Sequence, residues 1–366
     1  MTMRSLSALA LLFAAPAAVA QTLIVDINNG PGTTYTSLVD AAASAPDGAV
    51  LEVRPGFYFG AALVDGKSLT ILFDPGAVIA TDTDSIAMRV RNLNANQWFT
   101  MRGATVQTSL LSLSPYAEVR CEDSAGPVMI EQLATQVGNF RARISAYSCD
   151  QMIVRDSSFN GTLHFDDSRV ALEGTSVGQN FTFTAAVTVA GGELQVLGGT
   201  FAGFNSTQGP AFDLQAADLR LLGDALIYGG VNGSGSARVA PSVTFASAPS
   251  PFSATIAVTN VEMPHVSTVS EPLGTPFDAT LAGQTGVIGL IVGGNPSTPL
   301  TAPIFGDAWW VDPLGGVPLQ AGVTPFATTV TIAANPALIG TRLNFQGLTW
   351  TGAQFDVSNP SGWVAR

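Results

Sequence analysis

Between residues 99 and 223 one short pattern of apolar and polar positions keeps returning. Its copies are Phe99-Thr100-Met101-Arg102-Gly103, Ala117-Glu118-Val119-Arg120-Cys121, Met152-Ile153-Val154-Arg155-Asp156, Val170-Ala171-Leu172-Glu173-Gly174, Leu194-Gln195-Val196-Leu197-Gly198 and Leu219-Arg220-Leu221-Leu222-Gly223. The first and third places are apolar, the second varies, the fourth is Arg, Glu or Leu, and the fifth is usually small. Alternation with period two predicts a strand, and the small residue predicts the turn that ends it. A strand-and-turn unit repeated through a chain predicts a solenoid, because each rung buries its apolar side only against its neighbours. Taking Arg54, Leu72, Arg102, Arg120, Arg155, Glu173, Leu197 and Leu222 as fourth places, the spacings are 18, 30, 18, 35, 18, 24 and 25 residues. Such unequal steps argue against a left-handed helix of strict hexapeptides and for right-handed coils with turns of varying length. The step of 35 leaves room for a further strand near Phe140 to Ile144.

The flanks fit this plan. Leu23 to Val25 predicts a first strand, Gly30-Pro31-Gly32 a turn, and Ser37 to Ala45 a short helix with Ser37 and Asp40 placed for a capping interaction. Pro46-Asp47-Gly48 stops that helix, which would cover the open end of the stack. Residues 21–258 are therefore expected to form the β-helix. Residues 259–276, with Pro264, Pro272 and Pro276, are expected to be a semi-rigid connector. In residues 277–366, Phe277 to Leu281, Gly286 to Val292, Ala308 to Val311, Thr328 to Ile332, Thr341 to Leu348 and Gln354 to Val357 predict a small C-terminal β-sandwich.

Tyr35, Leu38, Ala41, Ala45, Gly48, Leu51, Val53, Gly56 and Tyr58 follow a recognisable spacing. The segment resembles the opening of right-handed parallel β-helix proteins of the pectin-lyase-like superfamily, and the last ninety residues resemble compact β modules that follow β-helices in bacterial secreted proteins. The first resemblance implies the fold. It implies no catalytic residue, because the Gly-His-Gly and Arg-Ile-Lys motifs of the galacturonan hydrolases are missing and only Asp166-Asp167 echoes their paired aspartates.

Composition narrows the setting. Residues 1–20 hold Arg4, an apolar run and Ala18-Val19-Ala20, the pattern of a cleaved secretory signal, so export to the medium or the cell surface is expected. No later run is long enough to span a bilayer. Charged residues make up only 11%, and the net charge is −12. Lacking a basic patch, the chain is not expected to bind nucleic acid or an anionic membrane. For Cys121 and Cys149, export makes a disulfide one expectation; the alternative is that Cys121 only fills the small place after a strand. Two thiols and the distant His164 and His265 lack metal-binding spacing, so no metal or other cofactor is expected.

With fourth places facing outward, Arg102, Arg120 and Arg155 are expected to line one face as a grip for the carboxylates of an acidic polysaccharide. The plainer alternative is a solvated ladder whose stems cover the sheet. Residues 155–169 form the densest polar stretch. Asp156, His164, Asp166 and Asp167, with Arg155 and Arg169, are candidates for acid and base work on a glycosidic bond, or for holding Ca²⁺ in a lyase. Against this, aspartates between short strands commonly serve turns. Trp309-Trp310 offers one ring to a core and one as a sugar platform, unless both are covered. The leading expectation is a non-catalytic secreted or surface β-helix that binds polysaccharide or a cell-surface component. The rival is a divergent polysaccharide lyase or glycoside hydrolase.

Overall fold

The computed structural model describes residues 21–81, 85–108, 116–135, 141–178, 185–203, 209–246, 250–352 and 354–366. The expected signal at residues 1–20 lies outside them. Strands stack in register with parallel pairing to make a three-faced β-helix. The first face stacks Thr22–Val25, Ala49–Val53, Leu69–Phe73, Phe99–Arg102, Val128–Glu131, Met152–Arg155, Arg169–Glu173 and Glu193–Leu197, then 218–222, 235–239 and Ile256–Asn260. The second runs from Gly56–Phe59 to Thr244–Ala246. The third stacks Ala62–Asp65, Ile86–Arg91, Ala117–Ser124, Ala142–Cys149 and 161–166, followed by Val187–Ala190, 212–215 and 231–234.

The repeated phrase is the first-face strand, with two corrections. Arg54 is not a fourth place, because Glu52 pairs with Leu72 and Arg54 follows the strand. Ala117–Ser124 belongs to the third face, and the first-face strand of its coil is Val128–Glu131. The strand expected near residue 140 is the third-face strand Ala142–Cys149; Phe140 itself lies outside the described residues. First and third places point inward as expected. Leu51, Ile71, Met101, Ile130, Val154, Leu172, Val196 and Leu221 stack rung on rung and are all buried. Each contributes roughly 1.5–3 kcal/mol relative to exposure.

The fifth place is small for a backbone reason. Gly103, Gln132, Asp156, Gly174, Gly198 and Gly223 follow the fourth places and all have positive φ, from 47° at Asp156 to 82° at Gly103. This is the left-handed region that turns the chain off the first face. At the open end, Leu38–Ser44 forms the expected helix; Ser37 Oγ accepts from Asp40 N at 3.2 Å, and Leu38, Ala41 and Ala42 pack on the first coil.

After Asn260 the pairing becomes antiparallel. His265–Thr268, expected in the connector, is instead a strand paired with Phe277–Ala282, which also pairs with Phe326–Val330. A second sheet orders Val317–Val323, Ile288–Gly294, Arg342–Trp350 and Phe355–Val357, with Ser361–Val364 also on Arg342–Trp350. Val266, Phe277 and Leu281 from one sheet meet Ile291, Phe345 and Trp363 from the other. The C-terminal module is thus the expected small sandwich, with a strand taken from the supposed linker.

Candidate functional site

The fourth-place ladder reads Leu72, Arg102, Glu131, Arg155, Glu173, Leu197 in register, alternating in charge at its centre. It is covered. The second-place residues Val50, Met129, Ile153 and Ala171, with Leu72, pack against Ala308, Trp310 and Val364 of the C-terminal module. Arg102 Nη1 donates to Val364 O at 2.6 Å; Arg155 donates through Nη1 to Thr268 Oγ1 at 3.0 Å and through Nη2 to Thr268 O at 2.9 Å. Glu173 Oε1 accepts from Ser361 Oγ at 2.7 Å, and Ser270 bonds Glu131. Arg155 is fully buried between Glu131 at 3.6 Å and Glu173 at 4.0 Å. Burial pushes the Glu173 carboxyl up, opposed by Arg155. Arg102 and Arg155, expected to grip a ligand, therefore hold the two domains together.

The tryptophans correct in the same way. Trp310 is sealed against the β-helix, and Trp309 packs with Val292, Val311 and Val357. Neither offers an open ring.

The residue 155–169 stretch separates around the coil. Asp156 turns the corner after the first face, with φ 47°. Asp167, with φ 44°, turns the corner after the third face in a ladder with Asn92, Asp123, Ser148, Gly191 and Ala216, all at positive φ. Arg169 opens the next first-face strand. Only His164 and Asp166 share an outward row, as expected from Leu163 and Phe165 pointing in. The aspartates expected to converge on one bond therefore do not, and two of them act as turn residues. Among the described residues no group of three His, Cys, Asp or Glu side chains is placed to hold a metal ion.

On the third face, outward residues form two further ladders, Arg89–Arg120–Ser145–His164–Thr188 and Asp65–Arg91–Glu122–Tyr147–Asp166. Glu118 anchors the middle: it is buried, accepts from Ser145 Oγ at 2.6 Å and from Arg120 Nη2 at 2.8 Å. That bond holds the Arg120 guanidinium above its ordinary pKa. Arg120 also reaches Glu122 at 3.3 Å and lies 5.4 Å from the centroid of the Tyr147 ring, which is 5.5 Å from that of His164. Beside them Arg143 stacks 3.9 Å from the Tyr116 ring centroid. Burial, and then the Arg143 charge, push His164 below its usual pKa, which favours the neutral ring. Arg120, Arg143, Tyr147, His164 and Asp166 all keep part of their surface open to solvent. The arrangement presents rings, neutral imidazole, hydroxyls and charged groups at rung spacing, the mixture that binds sugar faces and hydroxyls. Arg120 thus stays a candidate on a face the sequence reading did not give it. Glu118, Arg143 and Tyr147 escaped that reading, although Glu118-x-Arg120-x-Glu122 is an alternating charged row.

A scan against protein-family models matches none, and a search of curated proteins finds no significant relative. Among solved structures the chain is similar to the enzymatically active domain of bacteriophage CBA120 tailspike protein 4, at 11% identity and a TM-score of 0.24. The match covers 89% of this chain and 65% of that one. No helix among the described residues is long and apolar enough to cross a membrane.

Proposed function

We propose that the protein is a polysaccharide-binding β-helix whose third face carries the polymer. One observation supports this above the others. The first face is closed by the C-terminal module, whereas the third presents Arg120, Tyr147, His164 and Asp166, partly open, in ladders over successive rungs. With strands about 4.8 Å apart, its eight rungs run for roughly 34 Å, a length that suits an extended chain of sugars. The signal at residues 1–20 delivers the protein to the medium or the cell surface, and the opening segment makes it kin to pectin-lyase-like proteins. Catalysis is not part of the proposal, since Asp156 and Asp167 occupy different corners of the coil and Asp166 lies on the third-face strand.

The test is retention of the mature protein on immobilised acidic and neutral polysaccharides, with and without Ca²⁺, alongside reducing-end and unsaturated-product readings. Retention without product supports the proposal. Product that is lost in an Asp166→Ala variant turns the reading to a lyase or hydrolase, and no retention on any polymer removes it.

A further inference from the structure

Where the third face turns into the first, the β-helix and the C-terminal module enclose a cleft of 820 Å³. Asn96, Gln97 and Trp98 form one wall; Ser297, Thr298 and Arg342 belong to the other. Arg342 reaches across, its Cζ 5.0 Å from the centroid of the Trp98 ring. It differs from the other arginines at the domain boundary. Arg102, Arg155, Arg220 and Arg238 each meet a carboxylate, whereas no ion pair joins Arg342 to a carboxylate among the described residues. Burial, with no opposing charge, pushes its guanidinium down to about 9. The one acid lining the cleft, Asp312, accepts from the backbone N–H of Leu314 at 3.0 Å. A half-buried cation with no counter-charge is costly, and a bound anion relieves that cost. The contact with the Trp98 ring holds the guanidinium, and no side-chain hydrogen bond of Arg342 is found among the described residues, so its N–H groups can make the two-point bond a carboxylate fits. The amides of Asn96 and Gln97 and the hydroxyls of Ser297 and Thr298 supply donors and acceptors of the kind sugar hydroxyls need.

We propose that this cleft binds a uronic acid unit, with Arg342 taking the carboxylate and Trp98 fixing the guanidinium. The inference is independent of the third face. It is tested by calorimetric titration of the mature protein with a short oligogalacturonate, with its neutral galactose counterpart, and with succinate as a competing non-sugar carboxylate. The wild type is expected to bind the oligouronate, to ignore the neutral oligomer, and to be displaced only weakly by succinate. Arg342→Gln is expected to weaken binding about tenfold or more. Arg342→Lys keeps the charge and guards against a folding defect; it is expected to fall between the two. Trp350→Ala, at an exposed ring that does not line the cleft, should leave this titration unchanged. Absence of oligouronate binding by the wild type, equal binding of the neutral oligomer, equal competition by succinate, or an undiminished Arg342→Gln variant overturns the proposal.

Discussion

Arg155→Ala tests how the two domains are held. The side chain is fully buried, donates two hydrogen bonds to Thr268, and lies between the buried carboxylates of Glu131 and Glu173. Removing it strands the buried Glu173 carboxylate, leaves Glu131 with Arg102 as its one cationic partner, and takes the donor from Thr268 O. Breaking a buried pair in this way costs about 3–5 kcal/mol, a large share of the roughly 5–15 kcal/mol that holds a typical domain. Arg91→Ala provides the comparison, because the Arg91 side chain and that of its partner Asp65 are both exposed and such a pair contributes little to stability. Urea unfolding followed by tryptophan fluorescence is the assay, since Trp309, Trp310, Trp350 and Trp363 sit in the C-terminal module and only Trp98 in the β-helix. The Arg155→Ala transition should move to clearly lower urea. Adding Glu173→Gln should restore part of the loss by removing the stranded charge, while Glu131 stays as the counter-charge of Arg102. Equal small shifts in the Arg155→Ala and Arg91→Ala variants would refute the reasoning.

Three further outcomes are expected. The Glu173 carboxyl is raised by burial, so its contribution is fully present below the unfolded glutamate value of about 4.5 and is lost as pH rises through the folded one; Glu173→Gln should flatten that part of the stability-versus-pH curve, and an unchanged curve counts against it. Gly199 has φ +84°, and a Cβ there would lie 2.0 Å from Thr175 O; Gly199→Ala should cost at least about 1–3 kcal/mol in the same unfolding assay, and a neutral result would show that the coil yields easily. Cys121 and Cys149 bring their sulfurs to 2.8 Å in the core between adjacent third-face strands. Protein folded with an oxidised small-molecule disulfide should therefore show no free thiol after denaturation, and two titrating thiols would show that the pair stays reduced.

The β-helix was legible because its inward residues alternate without a break, as Met152, Val154, Val170 and Leu172 do. Two things hid the rest. Third-face strands obey the same alternation, so Ala117-x-Val119-x-Cys121 passed for a first-face rung, while Val128-Met-Ile-Glu131 carries apolar residues on both sides and showed no alternation. Met129, Ile153 and Ala171 point outward, and apolar outward positions are the mark of a sheet covered on both faces. Read that way, they announce a partner over the first face and the burial of Arg102 and Arg155. The His265–Thr268 strand was hidden by the prolines around it. The candidate site was harder still, because Glu118, Arg120, Tyr147 and His164 come from three coils and meet only through the register of stacked strands.

The most direct measurement is the affinity of a retained polysaccharide for wild type, Tyr147→Ala and Trp350→Ala, run side by side in affinity electrophoresis. Tyr147 sits on the third face, and Trp350 is an exposed ring of the C-terminal module. Loss of a stacking ring costs about 1 kcal/mol or more, so Tyr147→Ala should bind several-fold more weakly while Trp350→Ala binds as the wild type does. Unchanged binding by Tyr147→Ala, with Trp350→Ala impaired, would contradict the assignment of the third face and move the polymer to the C-terminal module.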